Sequence, residues 1–388
     1  MASIPSGSAS PSAPTWSDSG SSPRRSNERF PMPDPTDLPG EMRAWRVHEW
    51  GPEPKDALQL DTVPLPVPEA EELLVRALAI PLNLNDIERI NGQNMMVRPE
   101  LPVTPGMEVM GIVAAAGNGV EDWVGRRVVA MPKQATGGFA EYSICPVVSA
   151  FDMPEEIPLP DAAALFFPYH LAWLGLIDRA GLSAGESVLI HAGAGGSGSA
   201  SIQLAKSLGA KVFATAGSPE KVALCRELGA DVAIDYERED FQAVILEATD
   251  KKGVDVVFDN VGEGVMEKSM NSLAYNGRYL MMGFASDKRF ADEKLIVPRR
   301  ISAGNFKLCG VLLAYAKEGV ASMMKQAMGW NFCSDALGAE IMAGIVDLVR
   351  EKKVRPVIGE ITSFELLPAA ITRMRDRKTT GRVVVMLD

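Results

Sequence analysis

A glycine-rich stretch, Gly-Ala-Gly-Gly-Ser-Gly at 193–198, lies between a short apolar run and a helical pattern at 199–208. It has the G-x-G-x-x-G spacing, in which one glycine makes a sharp turn, one lets the backbone approach a pyrophosphate, and one lets the helix pack closely on the strand. The N–H groups at the helix start then bind the phosphates, helped by the helix dipole. The sequence therefore predicts a dinucleotide site at Gly193, Gly195, Gly196, Ser197 and Gly198.

The end of the next strand indicates which dinucleotide is bound. NAD-binding units usually carry an acid there, which accepts a hydrogen bond from the ribose 2′-OH and would repel a 2′-phosphate. This chain has Ala-Gly-Ser at 216–218 instead, followed by Lys221 and, after the third strand, Tyr236. Because a hydroxyl, an ammonium and a phenol can hold a phosphate, Ser218, Lys221 and Tyr236 predict NADPH. In the alternative, Lys221 and Glu220 form a solvated surface pair.

The elements that must position these residues follow two patterns. From residue 166 to residue 313, strands alternate with helices, which predicts a doubly wound parallel sheet of the Rossmann type. Residues 42–165 contain short strands separated by proline-rich loops, which predicts a mostly β domain. Residues 314–388 are expected to return to that first domain. The predicted fold class is α/β with two domains.

Composition limits the classes of function. The formal net charge of −11 argues against a nucleic-acid partner, and no apolar run is long enough to span a membrane. The four scattered cysteines form no C-x-x-C pair, which favours a reducing, cytoplasmic location. Residues 1–41 are rich in Ser and Pro and are expected to be a disordered tail. Import into an organelle through residues 1–40 is the alternative.

Motifs outside the glycine turn resemble one enzyme family. They are Met42–His48, Pro105–Glu108, Gly137–Tyr142, Thr215–Lys221 and Thr379–Arg382. Together with the turn, they resemble the zinc-independent quinone oxidoreductase branch of the medium-chain dehydrogenase/reductases, over nearly all of the chain from Met42 onward. The resemblance implies a GroES-like domain around a Rossmann domain, NADPH in the cleft between them, and assembly as a homodimer or homotetramer.

The resemblance also implies roles around the nicotinamide. Asn83 would position the substrate carbonyl or the cofactor; in the alternative it only caps the helix that it precedes. Val311 would lie near the nicotinamide ring edge or at a dimer contact. The nicotinamide ribose and ring would be bordered by Asn260, Val261, Phe284, Ala285 and Ser286.

Two positions depart from the family pattern. Leu171 stands where many relatives have a Thr near the nicotinamide, and Glu88 stands where relatives often have a Tyr. The lost hydroxyls put the family's usual nicotinamide contacts and substrate pocket in question. His170 could supply a hydrogen-bond donor instead; the alternative is a buried histidine whose hydrogen bonds are satisfied within the protein.

Zinc-dependent relatives hold their catalytic metal with a Cys, a His and a further Cys, and the corresponding positions here are Asn83, Met107 and approximately Phe167. Met and Phe with one amide are not a zinc ligand set, so the sequence predicts no metal. Zinc polarises the oxygen of an unactivated carbonyl. Without it, the acceptor should already be electron-poor, which indicates a quinone or a double bond conjugated to a carbonyl.

The predicted function is NADPH-dependent hydride transfer to a quinone or a similar conjugated acceptor. The alternative is an enoyl or enone reductase that acts on alkenals or acyl thioesters, since the same residues would serve. A weaker alternative is a non-enzymatic NADPH-binding protein with a structural or regulatory role, because a fold does not imply a function.

Overall fold

The computed structural model describes residues 38–93, 98–282 and 298–387. Most of the tail predicted at 1–41 lies outside the described residues, as do the predicted site residues Phe284, Ala285 and Ser286. The first strand begins at Glu41, so the last residue assigned to the tail belongs to the folded part. Among the described residues, no helix has the length and apolar character needed to cross a membrane.

The strands of the described residues form three sheets. In chain order the strands are β1 (Glu41–Val47), β2 (Leu58–Pro64), β3 (Glu72–Leu82), β4 (Val109–Ala116), β5 (Arg127–Ala130), β6 (Tyr142–Pro146), β7 (Ala150–Asp152), β8 (Ser187–Ile190), β9 (Lys211–Ala216), β10 (Val232–Asp235), β11 (Val254–Asp259), β12 (Leu273–Met281), β13 (Lys307–Gly310), β14 (Ile358–Ser363) and β15 (Arg382–Met386).

The α-helices of the same residues lie between these strands. They are α1 (Pro54–Ala57), α2 (Asp86–Asn91), α3 (Phe166–Trp173), α4 (Gly196–Ser207), α5 (Pro219–Glu227), α6 (Phe241–Ala248), α7 (Met266–Asn271), α8 (Pro298–Gly304), α9 (Glu318–Met328), α10 (Asp335–Arg350) and α11 (Leu367–Arg375).

Six strands form a parallel sheet in the order β10-β9-β8-β11-β12-β13. Its central strands are apolar on both faces, because helices cover both sides of such a sheet; Val188, Val256 and Phe258 are fully buried. The strand order reverses between β8 and β11. In open α/β sheets ligands bind at this switch point, outside the carboxyl ends of the strands. The predicted doubly wound parallel sheet is confirmed.

A mostly antiparallel sheet has the order β14-β15-β3-β4-β5-β7, with β6 also paired to β3. Its central strand β3 continues through Pro81 and is buried along nearly its whole length. The last strand, β15, pairs with β3 and places Val384 opposite Pro81. The C-terminal segment therefore enters the sheet that the N-terminal segment builds. The predicted domain limits at residues 165 and 313 stay predictions.

Helix α3 lies where the two sheets meet. Its sequence, Phe-Phe-Pro-Tyr-His-Leu-Ala-Trp, is apolar on nearly all sides, which is typical of a buried helix. Phe166 and Tyr169 belong to one continuous core with Phe151 of the antiparallel sheet and Phe258 of the parallel sheet. Packing around α3 thereby fixes where the glycine turn lies relative to β3.

Candidate active site

The glycine turn connects the end of β8 to the start of α4, at the carboxyl edge of the parallel sheet. Gly195 precedes the helix in an extended conformation (φ −82°, ψ 178°), and α4 begins at Gly196, three residues before the predicted start. The closest approach is at Gly198, where a Cβ would overlap the carbonyl oxygen of Ala192. The first N–H groups of α4 have no partner within the helix. The turn contains all the predicted residues, Gly193, Gly195, Gly196, Ser197 and Gly198.

The residues predicted to bind a 2′-phosphate come together after β9. Ser218 caps α5, since its Oγ accepts the N–H of Lys221 at 3.3 Å. Tyr236 follows β10, and its hydroxyl lies where a Cβ on Gly217 would collide with it. Tyr236 therefore lies against Gly217, next to Ser218 in the chain, and the Lys221 backbone is bonded to Ser218. Their binding of a phosphate stays a prediction.

The Lys221 ammonium is held by a distant part of the chain. Its Nζ donates to the carbonyl oxygen of Arg377 at 2.8 Å, across 156 residues of sequence, so a surface pair with Glu220 is not what holds it. Burial and the positive charge of Arg377 lower the pKa of Lys221. Two neighbouring cations favour an anionic ligand. The sequence did not place Arg377 beside Lys221, because only the folded chain brings the two together.

The nearby acid Glu220 is fully exposed. Its own backbone N–H and the Ser218 hydroxyl lower the pKa of its carboxyl group. The carboxylate therefore shares Ser218 with the Lys221 N–H, at the border of the predicted phosphate site. The Glu220 carboxylate and a bound phosphate would both be negative and would repel each other. Because Glu220 is exposed to water, this repulsion is screened.

Asn83 follows β3 and is buried among polar groups that connect the two sheets. Its Nδ2 donates to Glu108 Oε2 at 3.0 Å, and its Oδ1 accepts from Arg382 Nη1 at 2.8 Å. Arg382 Nη2 donates to the same Glu108 oxygen. The other Glu108 oxygen accepts the N–H of Phe167 at 3.1 Å. Both ends of the Asn83 amide are thus engaged by protein groups, and its role toward substrate stays a prediction.

Asp86 holds the loop that carries Asn83. Its carboxylate accepts the N–H of Asn83 at 2.8 Å and the N–H of Met107 at 3.0 Å. The Asn83 side chain makes no cap to α2, so the capping alternative is wrong. Burial raises the pKa of Asp86 to about 7, against the lowering effects of Arg89, the two N–H groups and Arg382.

The three positions that correspond to zinc ligands in relatives meet in this network. Asn83 bonds Glu108 through its side chain, whereas Met107 and Phe167 bond carboxylates through their backbone N–H groups. A thioether, a phenyl ring and an amide are not the imidazole and thiolate ligands that zinc prefers. In the described ranges no group of three His, Cys, Asp or Glu side chains is arranged to hold a metal. The donor set does not fit catalytic zinc.

The loop after β11 lies beside the glycine turn and is held by Asp259. The Asp259 carboxylate accepts the N–H groups of Val261 at 2.7 Å and Gly262 at 2.9 Å. It also accepts the hydroxyl of Tyr279. Asn260 Nδ2 donates to the carbonyl oxygen of His191 at 3.3 Å, directly after β8. Asn260 and Val261 therefore lie at the switch point, and their contacts with the nicotinamide ribose stay predictions.

His170 is fully buried in an aromatic cluster with Phe151, Phe166 and Tyr315. Its Nδ1 lies 2.7 Å from the Tyr315 hydroxyl, and its Nε2 has no partner in the part of the chain that the structure describes. Burial lowers the pKa of His170 to about 3. The ring is therefore a neutral core group, half satisfied, rather than a donor exposed to a substrate.

The remaining predicted positions have less defined surroundings. Leu171 is half-buried against the same core as His170, and Glu88 is buried on α2. Val311 follows β13 and donates its N–H to the carbonyl oxygen of Met281 at 3.4 Å. The place of Val311 near the nicotinamide ring edge or at a dimer contact stays a prediction.

Comparison with known proteins agrees with this architecture. Residues 69–155 match the family described as alcohol dehydrogenase GroES-like domain, and residues 196–331 match the family described as zinc-binding dehydrogenase. The quinone oxidoreductase of Sus scrofa is 30% identical over 347 residues, which are 89% of this chain and 98% of that protein. The chain belongs to the zinc-independent quinone oxidoreductase branch of the medium-chain dehydrogenase/reductases.

Other similar proteins carry different names. The synaptic vesicle membrane protein VAT-1 homolog of Homo sapiens is 31% identical over 335 residues, which are 85% of this chain and 83% of that protein. A mycobacterial protein solved in complex with NADPH has a TM-score of 0.76 and 28% identity, and the match covers 89% of this chain and 100% of that chain. The Pseudomonas syringae quinone oxidoreductase gives a TM-score of 0.76 at 26% identity, with coverage of 89% and 100%.

The close approach at Gly198 predicts the effect of one methyl group. Gly198→Ala should weaken NADPH binding by about tenfold or more, or about 1.4 kcal/mol per factor of ten, because the new Cβ must push α4 away from Ala192. Titration of NADPH fluorescence measures the Kd. Gly319→Ala is the control, since a Cβ there meets no described atom within 4 Å. Unchanged binding in Gly198→Ala would contradict the role of the turn.

The buried His170 predicts a pH dependence of stability. The pKa of His170 in the folded protein is about 3, below the ordinary 6.5. Below pH 6.5 the imidazole is therefore protonated in the unfolded chain and neutral in the folded one, so the free energy of unfolding falls as the pH falls. Between pH 6.5 and pH 4.5 the wild type should lose about 2 kcal/mol more than His170→Phe. Urea denaturation at both pH values measures this difference.

A matched control separates the imidazole from its hydrogen bond. Tyr315→Phe removes the hydroxyl that lies 2.7 Å from His170 Nδ1 but keeps the buried ring. It should retain the wild-type loss of stability between the two pH values. Equal losses in His170→Phe and the wild type would show that His170 is protonated within the folded protein.

Proposed function

We propose that the protein is an NADPH-dependent oxidoreductase that reduces a quinone or a similar conjugated acceptor without a metal. The observation that carries the proposal is the group formed by Ser218, Lys221 and Tyr236 after β9, with Arg377 beside it. It supplies hydroxyls and cations at the place where an NAD-binding chain has an acid. The mycobacterial relative solved with NADPH supports the same cofactor.

Bound NADPH would supply the hydride, which is the chemistry that the protein itself lacks. The first N–H groups of α4 would bind its pyrophosphate, and Ser218, Lys221 and Tyr236 would hold its 2′-phosphate. Asn260 and Val261 would border the nicotinamide ribose. The chain's part in catalysis is then to bind and orient two reactants, which can supply a large share of a rate enhancement.

The kind of acceptor follows from what the site lacks. Asn83, Met107 and Phe167 give no Lewis acid to polarise an unactivated ketone, and the Asn83 amide is already bonded to Glu108 and Arg382. An acceptor that delocalises the incoming electron pair needs less help from the protein. Quinones and conjugated enones meet that requirement.

A homodimer or homotetramer and a cytoplasmic location are parts of the proposal that come from family resemblance and cysteine usage. β13 lies at the end of the parallel sheet order, and an edge strand of this kind can pair with a second chain. Light scattering would measure the assembly. A fluorescent fusion with and without residues 1–40 would test the location.

An acceptor screen tests the activity. Purified full-length protein should oxidise NADPH with quinones, and more slowly or not at all with unactivated ketones. Faster turnover of alkenals, enones or enoyl thioesters than of quinones would favour the enoyl/enone reductase alternative. Stoichiometric NADPH binding without turnover of any acceptor would support the non-enzymatic alternative. A preference for unactivated ketones would contradict the metal-free proposal.

The choice of NADPH over NADH has its own test. Lys221→Met should lower kcat/KM for NADPH by about tenfold to a hundredfold, the range of a charge-assisted hydrogen bond, and should change kcat/KM for NADH by less than about threefold. The exposed Lys252 provides the control substitution, Lys252→Met. A loss of the same size with both dinucleotides would argue against a 2′-phosphate contact.

A further inference from the structure

Arg382 stands where the C-terminal segment passes the glycine turn. The preceding residue, Gly381, donates its N–H to the carbonyl oxygen of Ala194 at 2.7 Å and forms a bridge with Gly195. Gly381 has a positive φ of 53°, and a Cβ there would overlap the carbonyl oxygen of Val357. The backbone at 381–382 is therefore fixed directly on the turn that is proposed to bind the dinucleotide.

The Arg382 side chain then extends from the turn to the loop that carries Asn83. Its Cδ lies 2.8 Å from where a Cβ on Gly196 would be, so its stem covers the first residue of α4. Its guanidinium donates to Asn83 Oδ1 at 2.8 Å and to Glu108. Glu108 in turn accepts the first-turn N–H of α3 at Phe167. One side chain thus contacts both halves of the site.

The burial of this pair is unusual for an ion pair that only stabilises a fold. The Arg382 and Glu108 side chains are 6% and 0% exposed, and the Nε of Arg382 has no partner in the described residues. Burying two charges carries a desolvation cost that their attraction often fails to recover, and apolar replacements of both are often as stable. A buried pair of this kind is weak evidence for a role in stability alone.

We infer that Arg382 is a positioning residue that fixes the Asn83 loop against the glycine turn, and so fixes the acceptor relative to the nicotinamide. The inference rests on the proposed function, since it assigns the acceptor side to the Asn83 loop and the dinucleotide side to the turn. Glu108 is its partner, because it binds Arg382, Asn83 and the start of α3 at once.

The test uses a double replacement that leaves no unpaired charge. Arg382→Met alone would leave Glu108 buried without its cation and is expected to destabilise the fold. Arg382→Met combined with Glu108→Gln removes both charges, and the new amide can still accept the N–H of Phe167. We expect this double variant to fold, with a thermal midpoint within a few degrees of the wild type.

The matched control is a second ion pair, which lies in the parallel-sheet domain. Arg278 and Glu186 are 2.7 Å apart and partly buried, at the opposite edge of the sheet from the glycine turn. Arg278→Met combined with Glu186→Gln removes the same two charges far from the site. It should keep the wild-type kcat and the wild-type NADPH affinity.

Three quantities are measured: the Kd for NADPH by fluorescence titration, kcat at saturating NADPH and acceptor, and the kinetic isotope effect with deuterated NADPH. In the Arg382/Glu108 double variant, kcat should fall about tenfold to a hundredfold, the cost of a displacement near 1 Å. The isotope effect should rise as hydride transfer becomes rate-limiting, while the Kd should change less than about threefold. Arg382→Lys should retain part of kcat, since an ammonium can still bond Glu108.

Hydrogen–deuterium exchange provides a readout that does not depend on turnover. The amides of Asn83 and Met107 should exchange faster in the double variant than in the wild type and the control, even if no acceptor is reduced. If the wild type reduces no acceptor, the proposed function is refuted, and the exchange data alone then decide whether Arg382 holds the Asn83 loop. The inference would be overturned if the double variant kept both the wild-type exchange rates and the wild-type kcat. It would also be overturned if only the affinity for NADPH fell, because Arg382 would then be a dinucleotide ligand only.

Discussion

At Gly198 the backbone of α4 approaches the carbonyl oxygen of Ala192 so closely that no side chain fits between them. This contact fixes the start of the helix on the end of β8, and it aims the unpaired N–H groups of the first turn at the carboxyl edge of the sheet. Since the neighbouring strands are parallel, β9 and β11 end at the same edge. Ser218 and Asn260 reach the site for that reason.

The antiparallel sheet contributes a different constraint, which is electrostatic. Asn83, Asp86, Glu108 and Arg382 are buried at the meeting of the two sheets, and each side chain has at least one partner among the others or in the neighbouring backbone. Such a network can hold a precise arrangement only while its groups are paired. It surrounds the positions where zinc-dependent relatives place metal ligands. Charged hydrogen bonds order that region here.

Local pattern predicted the glycine turn and the parallel sheet, because each depends on residues near a strand end. The binding of a phosphate by Ser218, Lys221 and Tyr236 rests on the same kind of pattern and stays a prediction. Helix α3 was missed because a helix buried on most sides has no amphipathic period to detect. The contacts of Asn83 were missed for another reason. Its partner Arg382 is 299 residues away, and one sequence carries no record of that pairing. The capping alternative failed because the Asn83 side chain bonds Glu108 and Arg382 instead.

The segment 377–382 contacts each of these parts of the candidate site. Its first residue gives a carbonyl oxygen to Lys221, Gly381 donates its N–H to the glycine turn at Ala194, and Arg382 extends to Asn83. The proposed 2′-phosphate, pyrophosphate and acceptor regions are therefore each in contact with one short stretch of backbone. The same stretch leads into β15, which pairs with β3. A shift of β15 relative to β8 would move all three regions together, so the proposed catalysis depends on how firmly this C-terminal strand is anchored.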